Sequence, residues 1–399
     1  MTRQRNTSPL TAVLAITAML FGGGCAGSSL DTEQAPQQGP IHIGLMWPQS
    51  GVYKVVGDDF ARGWQLYLDL HGGKLGGHDI KTTVVDEAEG KQSARTGIKK
   101  LLEQDKVDVV VGTISSDAVE AVYPVTTEKH IPYVATGGRP TTLTDLTWVW
   151  HTSWQNKDSG QAIADFIRTT VPGPVYAIGP DYLGGHDQVN GFVEKFTVGG
   201  GKLANPGGKP TWTPFPATTN FLPYLNAIAA TDARAVFCFF GGTNAIDFVK
   251  QYAQSGLPGR IPLFAAGFTT EGAVLAAQGA AADGIYSSLN YAPDLDNPAN
   301  RTFATEYQKR HDQIPTLYNV TAYDAALLLD TAIAAAGPNP TPESINAAIG
   351  RLGTIASPRG EWRFGVEHSP IQPWYLRQVR ADGRGRANVV VQTLTTLGK

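Results

Sequence analysis

Two short segments of the sequence combine glycines with hydroxyl or guanidinium side chains directly after predicted strands. The first, residues 112–117, reads Gly-Thr-Ile-Ser-Ser-Asp between a run of valines and a stretch with helical spacing. At such a junction Ser115 and Ser116 offer hydroxyls, and the first turn of the helix offers backbone N–H groups that have no partner within the helix. Ser116 or Asp117 could equally serve as an ordinary helix cap. The pattern therefore predicts an anion-binding loop, a cap, or both.

The second segment, residues 136–140, follows the apolar run 131–135. Gly137 and Gly138 would let the backbone approach a ligand closely, because glycine has no side chain to obstruct it. The guanidinium of Arg139 can pair with a carboxylate through two parallel hydrogen bonds. A solvent-facing arginine in a surface loop is the alternative interpretation.

Aromatic residues recur where other predicted strands end. Such positions would supply apolar walls against which a planar ligand stacks. Tryptophan and tyrosine at strand ends also serve as core or rim residues, so both interpretations stand. The residues concerned are Trp47, Trp154, Tyr182 and Phe268.

These segments belong to a repeated alternation of short apolar runs and stretches with helical periodicity. The first predicted strand is Ile41–Trp47, and residues 57–71 then place apolar side chains on one helical face before two glycines end the helix. This alternation is typical of parallel sheets with helices on both faces. Further strands are predicted at residues 80–85, 107–111, 131–135, 175–178, 235–240 and 263–266, with helices between them.

The chain has 399 residues and 42% hydrophobic content, which exceeds one ordinary domain and suffices for two cores. The strands and helices fall into two series, of which the second begins after residues 148–152. In an open α/β sheet, ligands bind beyond the carboxyl ends of the strands, where the loops described above lie. The sequence therefore predicts two α/β domains with a binding site at the ends of their strands.

Several other classes of function lack support in the sequence. A formal net charge of −3 and a pI near 6.2 provide no basic surface for a phosphate backbone, so we predict no nucleic-acid partner. The sequence has no nucleophile elbow, no glycine-rich phosphate or dinucleotide loop and no zinc-protease motif, and its eight histidines are scattered. We predict no catalysis, no cofactor and no metal, with a doubly wound enzyme as the alternative from a different class.

The first two dozen residues differ from the rest of the chain. Arg3 and Arg5 precede the uncharged apolar run 10–21, and three glycines then lead to Cys25. A basic start, an apolar run and small residues form the pattern of a secretion signal, and the run is shorter than the about 20 residues that a transmembrane helix needs. We predict a signal peptide over residues 1–24 and a flexible tether over residues 25–40.

Cys25 resembles the cysteine of the lipobox of bacterial lipoproteins, where the thiol is acylated and becomes the new N-terminus. Gly22 stands where that motif prefers leucine, so plain secretion with cleavage nearby is the alternative. Cleavage before Cys25 removes two arginines and takes the net charge from −3 to −5. Cys238 then has no disulfide partner, and its apolar surroundings predict a small buried side chain.

Taken in order along the chain, a set of short motifs resembles one family. The motifs are Ile43-Gly44-Leu45 with Ser50-Gly51 and Gly57, Val109-Val110-Val111-Gly112 with Ser115-Ser116, Ile131-Pro132 with Ala135, Phe239-Phe240-Gly241-Gly242, and Tyr323-Asp324-Ala325. Their order and spacing, from Ile41 to the C-terminus, resemble the branched-chain amino-acid-binding group of type I periplasmic binding proteins. That resemblance implies two lobes, each a mainly parallel, doubly wound α/β sheet, joined by three crossings of the chain.

The resemblance also implies lobe boundaries and further site residues. The first lobe would comprise residues 41–156 and 291–366, and the second residues 157–290 and 367–399. Asn156 would stand at the first crossing, where it could contact the ligand or shape the hinge. Tyr318 falls where an aromatic residue closes over the ligand in this family, and Thr243 replaces the tyrosine usual after the Gly-Gly pair.

Two departures from the family bear on the ligand. Arg139 stands where relatives have a small hydroxyl residue. Amino-acid-binding relatives place a carboxylate for the ligand's ammonium after the strand at 263–266, where this chain has Gly267 and Phe268, and Glu271 lies several residues further on. An unpaired buried charge costs several kcal/mol. We therefore predict a small carboxylic acid without a free amine, which could be aromatic.

The function that the resemblance implies is that of an exported solute-binding protein of an ABC importer. It would act as a monomer, close about its hinge on the ligand and deliver it to the permease subunits, with a lipid on Cys25 as its only membrane contact. The alternatives are an amino-acid- or amide-binding member of the same family and a ligand sensor that reports to a receptor.

Overall fold

The computed structural model of the protein describes residues 39–88, 90–383 and 385–398. The predicted signal peptide, most of the predicted tether and the predicted acylation site Cys25 lie outside these residues. The part from Gly39 onward forms one compact unit.

The described strands and helices alternate as the sequence predicts. The strands are β1 Ile41–Trp47, β2 Lys74–Leu75, β3 His78–Asp86, β4 Val109–Gly112, β5 Tyr133–Ala135, β6 Val149–His151, β7 Val175–Asp181, β8 Thr211–Pro214, β9 Ala235–Cys238, β10 Leu263–Ala266, β11 Tyr286–Leu289, β12 Ile355–Ser357, β13 Gly360–Phe364, β14 Pro370–Ala381 and β15 Arg386–Leu397. The helices are α1 Lys54–Leu70, α2 Gly90–Lys99, α3 Ser116–Glu128, α4 Asn156–Thr170, α5 Leu183–Val198, α6 Leu222–Ala229, α7 Gly242–Gln254, α8 Gly272–Gln278, α9 Pro298–His311, α10 Leu317–Ala336 and α11 Pro342–Ile349.

The first sheet has the strand order β2-β3-β1-β4-β5-β6. All of its pairings are parallel except that of β2 with β3. The valines of β4 are buried completely, as expected for a parallel strand covered on both faces. We call this sheet and the helices packed on it the first lobe.

The second sheet has the order β12-β13-β14-β11-β10-β9-β7-β8, with β15 paired to β14. Its strands from β7 to β11 run parallel, whereas β14 is antiparallel to both β11 and β15. Cys238 in β9 is buried and free, which confirms its predicted role as a small core residue. We call this sheet and the helices packed on it the second lobe, and the predicted two-lobed α/β fold is confirmed.

The chain passes between the two lobes three times: between β6 and α4, between β11 and α9, and on its return to β14 through β12 and β13, which pair with the edge of the second sheet. After the second passage α10 packs along α1 of the first lobe, where the Tyr67 hydroxyl donates to Asp330 at 2.6 Å. Strand β13 pairs with the first residues of β14, while its Trp362 donates to Asp324 of α10 at 3.2 Å. This segment therefore lies at the junction, and the residue at which each lobe begins stays a prediction.

Candidate functional site

A narrow cavity lies between the two lobes, at the carboxyl ends of their strands. It encloses about 310 Å³ not occupied by protein atoms, part of it open to solvent. Residues from both lobes and from the first crossing form its wall. The lining residues are Tyr53, Ile114, Ser116, Gly138, Trp154, Asn156, Tyr182, Gln188, Phe239, Gly241, Phe268 and Tyr318.

Aromatic rings form much of this wall because several strands end at it. Trp154 follows β6, Phe268 follows β10, and Phe239 follows β9. The ring centroids of Trp154 and Phe268 are 4.4 Å apart, and Phe239 meets Phe268 edge-on at 6.2 Å. All three side chains are at most 3% exposed. The rings form an apolar wall against which a planar group could stack.

A polar end of the cavity lies at the start of α3. The Asn156 side-chain amide donates to the Ser116 hydroxyl at 2.8 Å and to Asp187 at 3.3 Å. Ser116 is the first residue of α3, so the free N–H groups of that helix's first turn lie beside its hydroxyl. A hydroxyl next to a helix N-terminus favours an anion.

Glu87, which no sequence motif indicated, holds the loop that precedes this polar end. Its two carboxylate oxygens accept the backbone N–H groups of Ile114 at 2.8 Å and Ser115 at 2.7 Å. Burial raises the pKa of Glu87 to about 8, against the opposing effect of these two hydrogen bonds. Through these two hydrogen bonds the Glu87 side chain fixes the loop that leads into α3. No local motif marks Glu87, since it lies 27 residues before the nearer of its two partners.

Trp154 presents an unused hydrogen-bond donor next to the cavity. Its ring nitrogen is buried and makes no hydrogen bond within the described part of the chain. A Cβ atom on Gly138 would lie 2.5 Å from this nitrogen and 1.8 Å from the Asn156 side-chain oxygen. Any residue larger than glycine would therefore overlap Asn156. The glycine therefore allows the Asn156 side chain and the Trp154 ring to pack directly against the backbone of this loop.

Tyr53 and Tyr182 join the two lobes beside the cavity. Tyr53 immediately precedes α1 in the first lobe, and Tyr182 lies between β7 and α5 in the second. Their hydroxyl oxygens are 2.6 Å apart, and the Tyr182 ring stacks on Phe215 with centroids 4.4 Å apart. Burial holds the pKa of Tyr182 well above its ordinary value. The pair connects the lobes in a closed arrangement.

The structure brings seven of the twelve predicted ligand-binding residues together in the cavity wall. It adds five that the sequence analysis did not single out. Of those five, Ile114, Phe239 and Gly241 lie within quoted segments. Tyr53 follows a Ser-Gly loop that offered a weaker signal. The seven are Ser116, Gly138, Trp154, Asn156, Tyr182, Phe268 and Tyr318, and the five additions are Tyr53, Ile114, Gln188, Phe239 and Gly241.

Arg139 does not line the cavity, contrary to the sequence-based prediction. Its backbone exchanges hydrogen bonds with Trp154 and Asn156, at 2.8 and 3.0 Å. Its guanidinium lies 3.1 Å from Glu367 at the third crossing, and the residue is only 5% exposed. Burial lowers the pKa of Arg139, with Glu367 opposing that effect. The strand-like backbone turns the side chain toward the crossing, where it pairs with a carboxylate of the chain itself.

Four other predicted residues also lie outside the cavity wall. Trp47 stacks on Phe60 at 5.5 Å within the first lobe. Ser115 is held by Glu87 as described above, and the carbonyl of Gly137 accepts a hydrogen bond from the Ser153 hydroxyl. Thr243 is exposed, and its backbone N–H donates to Val52 in the first lobe at 3.2 Å.

The cavity wall contains no acidic side chain among its lining residues. Glu271, the acid nearest in sequence to Phe268, is instead paired with the buried Arg377 at 2.9 Å. Across the described residues, no group of three or more histidine, cysteine, aspartate or glutamate side chains is placed to hold a metal ion. The same residues include no helix with the length and apolar content to cross a bilayer.

Comparisons with known proteins agree with this geometry. The family described as "Periplasmic binding protein" matches residues 40–384. A Leu/Ile/Val-binding protein homolog 6 from Brucella melitensis is 28% identical over 367 residues, covering 90% of this chain and 92% of the relative.

Two solved structures from R. palustris are ABC-transporter solute-binding proteins. One, in complex with benzoate, has 32% identity and a TM-score of 0.83, covering 90% of this chain and 98% of its own. The other, in complex with 4-hydroxybenzoate, has 26% identity and a TM-score of 0.81, covering 90% of this chain and 97% of its own. A family match over most of the chain and this structural likeness establish membership. The chain belongs to the periplasmic binding protein family and is a solute-binding protein of the kind that serves ABC transporters.

Proposed function

We propose that the cavity binds an aromatic carboxylic acid of the benzoate class. The observation that carries this proposal is the composition of the cavity wall. Stacked aromatic rings adjoin an unused Trp154 N–H and the Ser116 end of α3, and no lining residue is acidic. The benzoate and 4-hydroxybenzoate carried by the two R. palustris proteins support the same ligand class.

Each end of such a ligand has a matching part of the wall. The ring would lie against Trp154 and Phe268, whose apolar surfaces are already desolvated. The carboxylate would accept hydrogen bonds from the Ser116 hydroxyl and the first N–H groups of α3. An α-ammonium group would find no acid in the wall, and its desolvation would be uncompensated.

The ligand would contact both lobes at once and so stabilise the closed arrangement, which the permease subunits of the importer would recognise. Tyr53, Ser116 and Tyr318 come from the first lobe, whereas Tyr182 and Phe268 come from the second. A protein acting in this way needs only one copy, and we propose that it is a monomer.

Calorimetric titration of the purified protein tests the ligand class. Benzoate and 4-hydroxybenzoate should bind with 1:1 stoichiometry. Leucine, isoleucine and valine should bind at least a hundredfold more weakly. Benzylamine, which has the ring but the opposite charge, is the matched control and should not bind. Tight binding of leucine together with no binding of either benzoate would overturn the proposal.

We further propose that Cys25 is acylated and anchors the protein to the outer face of the membrane. The support is the sequence around residues 10–25, together with the extracytoplasmic location that the family implies. Cys25→Ser should move the mature protein from the membrane fraction to the soluble fraction, whereas Cys238→Ser should leave it in place. A Cys25→Ser protein that stays with the membrane contradicts the anchor.

A further inference from the structure

Glu271 is a buried acid that does not line the aromatic cavity. It lies between β10 and α8 in the second lobe and is 3% exposed. One carboxylate oxygen accepts from the Arg377 guanidinium at 2.9 Å, and the other accepts from the backbone N–H of Leu317 at 2.8 Å. A buried carboxylate with two charge-assisted or helix-terminal partners is fixed in position.

The two closest partners of Glu271 belong to different lobes, and Asn388 of β15 also donates to it, at 3.4 Å. Arg377 lies in β14 of the second sheet, whereas Leu317 is the first residue of α10, which packs along α1 in the first lobe. We infer that Glu271, held in place by Arg377, is a positioning residue that caps α10 across the cleft and thereby latches the two lobes in the closed form.

The N-terminus of α10 is arranged to leave one donor for this acid. Thr316 and Asn319 form a capping box in which each side chain accepts the other residue's backbone N–H. The N–H of Leu317, at the first helical position, takes no part in the box and donates to Glu271. A negative charge at the N-terminus of a 20-residue helix is favourable. When the lobes separate, this contact is lost, so it stabilises the closed form alone.

In each lobe, a residue close in sequence to the latch also lines the ligand cavity. Tyr318, which follows Leu317 directly, and Phe268, three residues before Glu271, both line the cavity. A ligand that packs against Phe268 and Tyr318 therefore sets the distance between Glu271 and α10. The inference rests on the proposed function for the identity of the ligand, but not for the existence of the latch.

Replacing Leu317 removes the donor without disturbing the Glu271–Arg377 pair. Proline is favoured at the first position of a helix, and the extended Thr316 (φ −115°, ψ 169°) is compatible with a following proline. Leu317→Pro therefore deletes one N–H and some packing of this buried side chain. Leu317→Ala, the matched control, loses packing but retains the N–H.

Two measurements compare these variants. Stopped-flow release of benzoate should be at least fivefold faster from Leu317→Pro than from Leu317→Ala, with little difference in the association rate. Small-angle scattering without ligand should give Leu317→Pro the larger radius of gyration. Equal release rates and equal radii would overturn the latch. If the wild-type protein does not bind benzoate, the proposed ligand is wrong, and the radii alone decide whether the latch exists.

Discussion

The hydroxyl oxygens of Tyr53 and Tyr182 lie 2.6 Å apart, although the residues are 129 positions apart in the chain and belong to different lobes. Both side chains line the cavity. Their hydrogen bond therefore forms when the two lobes close, and its free energy contributes to ligand affinity.

Removing either hydroxyl should weaken ligand binding by the same amount. A net hydrogen bond contributes about 0.5–1.5 kcal/mol, so Tyr53→Phe and Tyr182→Phe should each raise the Kd for benzoate by about two- to tenfold. The double variant should be no weaker than either single variant, because all three lack the same bond. Calorimetric Kd values for the wild type, the two single variants and the double variant complete a double-mutant cycle. Additive losses would show that the two hydroxyls act independently.

The ring nitrogen of Trp154 should matter to the ligand and not to the fold. Trp154→Phe keeps an aromatic wall but removes the donor, and we expect the Kd for benzoate to rise by about ten- to a hundredfold, since a hydrogen bond to a charged group contributes about 1.5–3 kcal/mol. Trp374→Phe is the matched control, because the Trp374 nitrogen is also buried and unpaired within the described residues but lies outside the cavity wall. Equal effects of the two substitutions on Kd would show that the Trp154 N–H does not bind the ligand.

Arg139 should contribute to stability more than to affinity. Arg139→Met leaves Glu367 without its cation and should lower the free energy of unfolding by about 1.5–3 kcal/mol, whereas the Kd for benzoate should change less than about threefold. Arg168→Met, which breaks a more exposed pair with Asp165, should cost less than about 0.5 kcal/mol. Urea unfolding measures the first effect and calorimetry the second. An unchanged free energy of unfolding together with a large loss of affinity would show that Arg139 contacts the ligand.

Ligand affinity should fall as the pH rises through 7, because of Asp59. This α1 carboxylate is 4% exposed, and a Cβ on Gly272 of the second lobe would lie 2.8 Å from its oxygen. Burial raises the pKa of Asp59 to about 7; Thr316 and Arg62 oppose this, while Glu271 and Asp58 add to it. Separating the lobes exposes Asp59 and returns its pKa toward the ordinary value.

The sign of the effect follows from these two pKa values. Between the open-form and closed-form pKa, the closed form holds a proton that the open form has lost, so a lower pH favours closure. The Kd for benzoate should therefore be about tenfold smaller at pH 6 than at pH 8. Asp59→Asn, which cannot titrate, should flatten this dependence, while Asp58→Asn, the neighbouring control, should preserve most of it. A pH profile identical in wild type and Asp59→Asn would assign the dependence to other groups.

Local pattern sufficed to predict most of the parallel strands. The apolar runs at Ile41–Trp47 and Leu263–Ala266 appear as β1 and β10 with the predicted bounds, since such strands are buried on both faces and read as continuous apolar segments. Strand β11 escaped prediction because it contains Ser287 and Ser288, both fully buried polar residues.

Some site residues could be predicted from the nearby sequence, whereas the positions of others depend on partners far away in the chain. Trp154 and Ser116 lie in the cavity wall where their positions after predicted strands suggested, because the end of a parallel strand determines where the next residues lie. The position of Arg139 could not be predicted, because it depends on Glu367, 228 residues further along the chain. The pairing of Glu271 could not be predicted either, because its two closest partners lie 46 and 106 residues away in the chain.

The three passages of the chain between the lobes also constrain the order in which the protein can assemble. Strand β14 pairs on one side with β11 and on the other with β15, and it follows a long excursion through the first lobe. Until residues 370–381 arrive, β11 presents an unpaired edge to any neighbouring chain. A nascent polypeptide of this topology cannot complete one lobe and then the other, so its premature termination products would be prone to aggregation.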